Sequence, residues 1–334
     1  MTTEPLLRIS ELSVEFPGGV RAARGVSLDV RAGETLAVVG ESGSGKSVTA
    51  LSVLRLLPED ARVTAGRVEF AGVDLLNCPP RQLNELRGGA IGMVYQDPLT
   101  ALNPVLPVGR QIEEAVQRHL GLRRRAATRR AGELLDLVGI PQATRRLRDY
   151  PHQFSGGMRQ RVVIAMAISC EPRLVIADEP TTALDVTMQA QILHLLRRLR
   201  DDLGTSLMVI SHDVGVVAGL ADRVAIMYAG RVVEHGTATD VIGAPNHPYG
   251  DGLLASVPRL DARTRTRFAA IPGSPPDPAA LPAGCAFAPR CRHVVDRCRE
   301  ADPPLLDAAD GRLVACWRHA DLAEVAPETT GGAR

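Results

Sequence analysis

Residues Gly40 to Ser47 read GESGSGKS, and this stretch decides the fold. It follows the short apolar run Leu36–Val39 and precedes Ser47–Leu57, where apolar residues recur at helical spacing. Gly-x4-Gly-Lys-Ser between a strand and a helix is typical of a phosphate-binding loop. The glycines let backbone N–H groups converge on phosphate oxygens, and the helix N-terminus adds its dipole. The predicted nucleotide contacts from this stretch are Gly40, Glu41, Ser42, Gly43, Ser44, Gly45, Lys46, Ser47 and Val48.

Lys46 is the only lysine in the chain, because every other residue among the 39 lysines and arginines is arginine. Lysine ends in a compact ammonium, whereas the guanidinium of arginine is broad and planar. Only the ammonium fits between the β- and γ-phosphates of a nucleoside triphosphate. We therefore expect Lys46 to bind the phosphates of ATP and to act in catalysis, and the Ser47 hydroxyl to bind Mg²⁺.

The composition excludes several classes of protein. The 334 residues carry a formal net charge of +1, so no strong field attracts nucleic acid. The apolar fraction is 45% and the aromatic fraction 3%, which favours an aliphatic α/β interior. Neither a signal peptide nor an apolar run of about 18 residues is found in the sequence. These features predict a soluble, cytoplasmic protein without nucleic-acid partners.

Short apolar runs along the chain predict an α/β fold with a parallel sheet, since each is sized for a strand covered on both faces. They are Leu36–Val39, Ile91–Tyr95, Leu174–Ala177, Leu207–Ile210 and Val224–Met227. Two N-terminal runs, Leu6–Phe16 and Val26–Val30, flank a Pro-Gly-Gly turn and predict an antiparallel β subdomain.

The rest of the chain predicts a helical insertion and a C-terminal extension. Arginine-rich amphipathic segments without strands indicate a helical subdomain at about residues 97–155. Residues 1–243 are predicted to form the nucleotide-binding domain and 244–334 the extension. Within the extension, Ala244–Pro282 has no sustained period and is predicted to be a linker or extended arm, and Pro327–Arg334 a frayed tail.

Polar residues follow three of the predicted strands. Asp178 and Glu179 end the run LVIADE, Gln96 follows Ile91–Tyr95, and His212 follows the strand through Leu207–Ile210. The carboxyl ends of parallel strands share one crevice. We expect Asp178 to hold Mg²⁺, Glu179 to polarise the attacking water, Gln96 to bridge the metal and that water, and His212 to contact the γ-phosphate.

A second phosphate-binding surface is predicted at Ser155-Gly156-Gly157, where a hydroxyl and two glycines open a helix. One ATP does not need two such surfaces from one molecule. The sequence therefore predicts a sandwich in which this surface covers the γ-phosphate bound to a partner subunit.

These motifs together resemble the ATP-binding subunits of ABC transporters. The signature of that family is present as FSGGM, its Walker B as LVIADE, its D-loop as Ala183-Leu184-Asp185, and its switch histidine as His212. The resemblance covers about residues 6–236. The signature departs from the family at Met158, where glutamine is commonest. The resemblance implies a P-loop ABC ATPase core and a nucleotide contact by Asp185.

The family also uses an aromatic side chain, usually tyrosine, to stack on adenine. Phe16 is the nearest candidate in this chain. Its position at the end of an apolar strand also suits a core residue, so both interpretations stay open.

Three further stretches resemble the dipeptide/oligopeptide importer branch and its D-type subunit: DEPTTALDVTMQAQIL, YAGRVVEHG and APNHPYGDGLLASVP. This resemblance implies two transmembrane permease subunits, a second ATP-binding subunit, and indirectly an extracellular substrate-binding protein. The second subunit is expected to be unlike this chain, with a homodimer as the alternative. The expected location is peripheral, on the cytoplasmic face of the inner membrane. Importers of nickel or other substrates would carry nearly identical stretches.

Four cysteines crowd the extension at Cys285-x5-Cys291-x6-Cys298-x17-Cys316. Zinc sites usually pair cysteines two to four residues apart, so the wider gaps here favour a larger group. A [4Fe–4S] cluster fits this spacing, and similar tails of the importer branch bind such clusters. Zinc is the second choice, and free or disulfide-bonded cysteines remain open. The arginines expected to offset the cluster's charge are Arg290, Arg292, Arg297 and Arg299. The isolated Cys78 and Cys170 are predicted to be buried apolar residues.

Three functions are open from the sequence. The first is an energy-coupling ATPase of a membrane importer, in which ATP closes the dimer and hydrolysis reopens it. The second is a soluble ABC ATPase acting on nucleic acid or ribosomes, which the lack of tandem ATPase units disfavours. The third is a metal-cluster sensor with a vestigial ATPase, which the complete catalytic set disfavours.

Overall fold

The structure is a computed structural model that describes residues 4–182, 184–256, 271–308 and 311–323. Its strands are β1 Leu7–Phe16, β2 Val20–Val30, β3 Thr35–Val39, β4 Arg62–Phe70, β5 Val73–Asp74, β6 Ile91–Val94, β7 Leu174–Asp178, β8 Ser206–Ser211, β9 Arg223–Tyr228, β10 Arg231–Thr237, β11 Leu306–Asp307 and β12 Leu313–Val314. Its α-helices are α1 Lys46–Val53, α2 Pro80–Leu86, α3 Pro98–Ala101, α4 Val108–Leu120, α5 Arg124–Leu137, α6 Ala143–Arg146, α7 Gly156–Ala167, α8 Val186–Leu203, α9 Val214–Ala218, α10 Ala238–Gly243, α11 Pro248–Ala255, α12 Asp296–Glu300 and α13 His319–Ala323.

The strands form two sheets. The smaller is antiparallel with order β2-β1-β4-β5, and it contains the predicted N-terminal pair. The larger has order β11-β12-β10-β9-β3-β8-β7-β6. Neighbours from β9 to β6 run parallel, whereas the β10, β11 and β12 pairs are antiparallel. All five apolar runs predicted to build a parallel sheet therefore do so.

The parallel strands are buried on both faces, as their continuous apolar runs require. Every residue of β3 is buried, with Ala37 and Val39 in the core on one face and Leu36 and Val38 in the core on the other. The same alternation holds in β7 and β8. The sheet therefore presents the carboxyl ends of β3, β6, β7 and β8 at one edge.

Four helices lie between β6 and α7, and the described residues of this segment contain no strand. The helices α4 and α5 pack together and bury one apolar face each, including Ile112, Val116, Leu134 and Leu135. The predicted segment at about 97–155 is thus helical. Among the described residues no helix is both long and apolar enough to cross a bilayer.

The prediction of a linker over Ala244–Pro282 was wrong for the part that contains α11. This helix buries Tyr249 completely and Leu253 almost completely. Eight residues are too few for a helical period to stand out, and Gly250 and Gly252 interrupt the apolar pattern. Residues 257–270, and the predicted tail at 327–334, lie outside the described residues.

The cysteine-bearing segment joins the main sheet directly. Val314 in β12 pairs with Glu234 in β10, and β11 pairs with β12. A strand of two residues is too short to show an alternating apolar pattern, so this pairing could not be predicted from the sequence.

Candidate nucleotide-binding site

The phosphate loop leaves β3 and enters α1, and two of its glycines are required by close approaches. Gly45 has φ +96° and forms the N-cap of α1. A Cβ on Gly45 would lie 2.3 Å from the backbone oxygen of Ala22 in β2. A Cβ on Gly40 would lie 2.2 Å from the backbone oxygen of Met227 in β9. No side chain fits at either position, so neighbouring strands fix the path of the loop.

Lys46 is buried, and its ammonium donates to the carbonyl oxygens of Gly40 at 2.7 Å and Glu41 at 2.8 Å. Burial lowers the pKa of Lys46, while the charges of Glu179, Asp178 and Glu41 oppose that shift. The pocket around the ammonium is closely lined by backbone, which suits a compact cation.

Ser47 and Asp178 meet at the base of the loop. The Ser47 hydroxyl donates to Oδ1 of Asp178 at 3.0 Å. Burial raises the pKa of the Asp178 carboxyl, and the hydrogen bond from Ser47 opposes this shift. A hydroxyl and a carboxylate at this separation are oxygen ligands of the type that Mg²⁺ prefers.

One carboxylate oxygen of Glu179 contacts two of the predicted strand-end side chains, Gln96 and His212. Its Oε2 lies 3.1 Å from Nε2 of Gln96 and 3.2 Å from Nδ1 of His212, whose side chain is exposed. Thr182 donates its hydroxyl to the same oxygen at 2.8 Å. Thr182 was not predicted from the sequence, although a hydroxyl three residues after a turn carboxylate is a recognisable local hydrogen-bonding pattern.

The predicted second phosphate surface opens α7. Ser155 is the N-cap residue and accepts a hydrogen bond from the Met158 backbone N–H at 3.4 Å. Ser155 and Gly156 are exposed, whereas Gly157 lies beneath the Met188 side chain. Within the described residues no hydrogen bond joins 155–157 to the loop at 40–47.

Three further predicted contacts, Asp185, Phe16 and Val48, lie among the described residues. Asp185 is the N-cap residue of α8 and accepts from the Met188 N–H at 2.9 Å. Ala183, the first residue of the predicted D-loop, lies outside the described residues. Phe16 ends β1, half-buried against the core shared with the antiparallel sheet, and Val48 packs against the same core.

Glu41 makes contacts that the sequence did not predict. Its backbone N–H donates to the Tyr249 hydroxyl at 2.8 Å, and its carboxylate pairs with the guanidinium of Arg290. Arg290 was expected to offset a cluster charge, and in the structure its guanidinium is paired with the Glu41 carboxylate. The two residues are 249 positions apart, so no local pattern could reveal the pair.

The four clustered cysteines line one cavity in the extension. Backbone N–H groups of Phe287, His293 and Arg318 hydrogen-bond to the thiols two residues earlier in the chain. Burial raises the pKa values of the Cys285 and Cys316 thiols to about 11. Across the described ranges, no three histidine, cysteine or acidic side chains are placed to hold a single metal ion.

Cys78 and Cys170 lie elsewhere and are buried with free thiols, as predicted.

Comparisons with known proteins agree with the site. Residues 23–182 match the ABC transporter family, and residues 233–298 match the family described as "Oligopeptide/dipeptide transporter, C-terminal region". The ATP-binding cassette MJ0796, solved as a dimer in a post-hydrolysis state with ADP and Pi, is 26% identical, with a TM-score of 0.63. That alignment covers 70% of this chain and 98% of the solved one.

The fold, the phosphate loop and these matches define an ATP-hydrolysing subunit of the ABC transporter class. The oligopeptide transport ATP-binding protein OppD of Salmonella typhimurium is 49% identical over 94% of this chain and 93% of its own length. The dipeptide transport ATP-binding protein DppD of Bacillus subtilis is 50% identical over 96% and 97%. The chain belongs to this family of oligopeptide and dipeptide transport ATP-binding proteins.

Proposed function

We propose that this chain powers the import of dipeptides or oligopeptides. The observation that carries the proposal is that two separate parts of the chain match transporter families. The ATPase region and the C-terminal region match the same type of transporter, and the similarity to OppD and DppD proteins extends over nearly the whole length. Import of nickel or another substrate is the alternative, because the described residues show no substrate pocket that would separate the two.

The catalytic roles follow from the strand-end geometry. Glu179 polarises the attacking water. Gln96 and His212 both contact its Oε2; Gln96 would bridge the metal and that water, and His212 contacts the γ-phosphate and orients the water. The side chains of Ser47, Asp178 and Gln96 would hold Mg²⁺. When bound, the metal neutralises phosphate charge. Lys46 binds the β- and γ-phosphates, and Phe16 stacks on adenine.

Ser155 and Gly156 are exposed, and among the described residues no hydrogen bond joins them to the phosphate loop of the same chain. This exposure supports a two-subunit sandwich. Ser155 and Gly156 would cover ATP on a second ATP-binding subunit, either unlike or identical, with Asp185 at the same interface. Residues 1–243 act as the nucleotide-binding domain, and the helical segment at 97–155 contacts two permeases. The complex would sit on the cytoplasmic face of the inner membrane and receive substrate from an extracellular binding protein.

Reconstitution tests this function. The chain is combined in liposomes with two candidate permeases, a second ATP-binding subunit and a binding protein from the same organism, and uptake of a labelled tripeptide is measured with and without ATP. ATP-dependent peptide uptake that excess nickel does not compete supports the proposal. Nickel uptake without peptide uptake would reject peptide import and favour the alternative, import of nickel. Recovery of ribosomes with the purified chain, and of no membrane protein, would favour a soluble ATPase.

We also propose that the four-cysteine cavity binds a [4Fe–4S] cluster, with zinc as the second choice. The support is that four thiols line one cavity, because a [4Fe–4S] cluster is held by four cysteine thiolates. Three of the thiols accept backbone N–H bonds, which stabilise sulfur that carries negative charge. The cluster would supply a structural cross-link or a redox group.

Anaerobic purification, iron and sulfide analysis and electron paramagnetic resonance test this assignment. About four irons per chain that are lost in the Cys298→Ser variant support it. Stoichiometric zinc, or no metal after anaerobic preparation, would contradict it.

A further inference from the structure

Glu41 connects the phosphate loop to the cysteine-bearing segment. It follows the first glycine of the loop, and its carboxylate accepts two hydrogen bonds from Arg290. Oε2 lies 2.8 Å from Nη1 and Oε1 lies 3.0 Å from Nη2. Arg290 is the residue before Cys291, one of the cavity thiols. One side-chain pair therefore joins the two chemical features of the chain.

Arg290 is itself firmly held. Its side chain is 6% exposed, its Nε donates to the Pro272 carbonyl at 2.9 Å, and its Nη1 lies 3.3 Å from the Tyr228 hydroxyl. The pair with Glu41 raises the pKa of Arg290, so the guanidinium stays charged. A bidentate arginine–carboxylate pair fixes both orientation and distance, which a lysine or a neutral donor cannot do.

The position of Glu41 matters for ATP in two ways. Its backbone carbonyl accepts a hydrogen bond from the Lys46 ammonium at 2.8 Å, so a shift of Glu41 would move the cation that binds phosphate. Its carboxylate also lies near enough to act electrostatically on Lys46. An uncompensated carboxylate there would repel a triphosphate.

We propose that Arg290 is a positioning residue for ATP binding, which fixes the main chain at Glu41 and neutralises its charge. The C-terminal segment thereby completes the phosphate site of its own subunit. The inference uses ATP binding alone, so it holds whatever group the cysteine cavity binds and whatever substrate is transported.

The chain offers matched controls in the same segment. Arg292 pairs with Asp251 at 2.6 Å on the surface. Asp302 ties the segment to the core through Arg24 and Arg231, at 2.6 Å each. In the described part of the chain, neither Arg292 nor Asp302 hydrogen-bonds to residues 40–47. Their removal loosens the segment without altering Glu41.

The experiment measures the Kd of a non-hydrolysable ATP analogue by calorimetry on the full chain, with the melting temperature beside it. Arg290→Gln should raise Kd about tenfold, the scale of one lost hydrogen bond to a charged group. Glu41→Gln in that background should bring Kd back to within about threefold of wild type, because the repelling charge is gone. Arg292→Gln and Asp302→Asn should leave Kd within about twofold.

Three results would overturn the proposal. They are a Kd for Arg290→Gln within twofold of wild type, a double variant that binds no better than Arg290→Gln, and an equal loss in Asp302→Asn. If Arg290→Gln does not fold, Arg290→Lys keeps the charge but not the bidentate geometry, and it should raise Kd about threefold. An unchanged Kd in a folded Arg290→Lys variant would equally reject the role. The experiment measures ATP binding and not peptide uptake, so a result against the role of Arg290 says nothing against the proposed transport function.

Discussion

Replacing Lys46 by arginine is expected to abolish useful ATP binding although it keeps the charge. Lys46 is 4% exposed, and its ammonium lies 2.7 and 2.8 Å from the carbonyl oxygens of Gly40 and Glu41. Forcing a larger group into a packed site costs about 1–3 kcal/mol. A misplaced charged donor loses about 1.5–3 kcal/mol at the phosphates. Allowing for partial relaxation, a net loss of about 2–4 kcal/mol corresponds to a roughly 30- to 700-fold higher Kd.

Calorimetry with a non-hydrolysable ATP analogue measures this loss, and thermal unfolding shows whether the variant is folded. Arg81→Lys is the matched control for an exchange of the two cations, because Arg81 is 93% exposed and its partner Glu85 lies on the surface. It should bind as wild type does. If folded Lys46→Arg binds the analogue with a Kd within threefold of wild type, the steric explanation for lysine at position 46 is refuted.

Three other variants or conditions test separate parts of the molecule. Glu179→Gln should keep analogue affinity while kcat for phosphate release falls at least about 100-fold, and normal turnover would remove the base from its role. Gly45→Ala should lower both Tm and ATP affinity because of its φ of +96° and its backbone clash, whereas Gly33→Ala, strained in φ but with open space, should lower Tm alone. Equal ATP affinity in both alanine variants would contradict this. Burial lowers the pKa values of His235 and His247 to about 4. The unfolded chain therefore binds more protons between pH 6.5 and 4. The free energy of unfolding should be highest above pH 6.5. It should decline by up to about 3 kcal/mol per histidine as the pH falls towards 4. Urea unfolding with the same free energy at pH 7 and pH 5 would reject that.

The strand-end residues could be predicted from the sequence because they depend on local signals and one rule of sheet geometry. Glu179 follows an apolar strand, as do Gln96 and His212, and parallel strands bring their carboxyl ends together. The structure places all three around one oxygen. The identity of the loop glycines was likewise readable, although the reason for Gly45, the approach of β2, was visible only in three dimensions.

The contacts of the extension could not be predicted. The helix α11 has eight residues, and its buried Tyr249 reaches the loop by a single hydroxyl. Arg290 was assigned to the cysteines from proximity in sequence, yet its charge is taken by Glu41. An ion pair between residues far apart in the sequence leaves no periodic pattern or fixed spacing in that sequence, so only the three-dimensional structure reveals it.

The backbone at Glu179 shows how the catalytic geometry is maintained. Glu179 has φ +45°, a left-handed conformation that costs a non-glycine residue about 1–2 kcal/mol. Its N–H donates to the Ile210 carbonyl at 2.9 Å, so β8 holds the turn in place. Glycine would relieve this strain but would remove the carboxylate that contacts Gln96, Thr182 and His212. The left-handed turn directs that carboxylate toward Gln96 and His212, which follow β6 and β8, the two strands flanking β7. The strain is therefore the local cost of bringing groups from three strands to one oxygen.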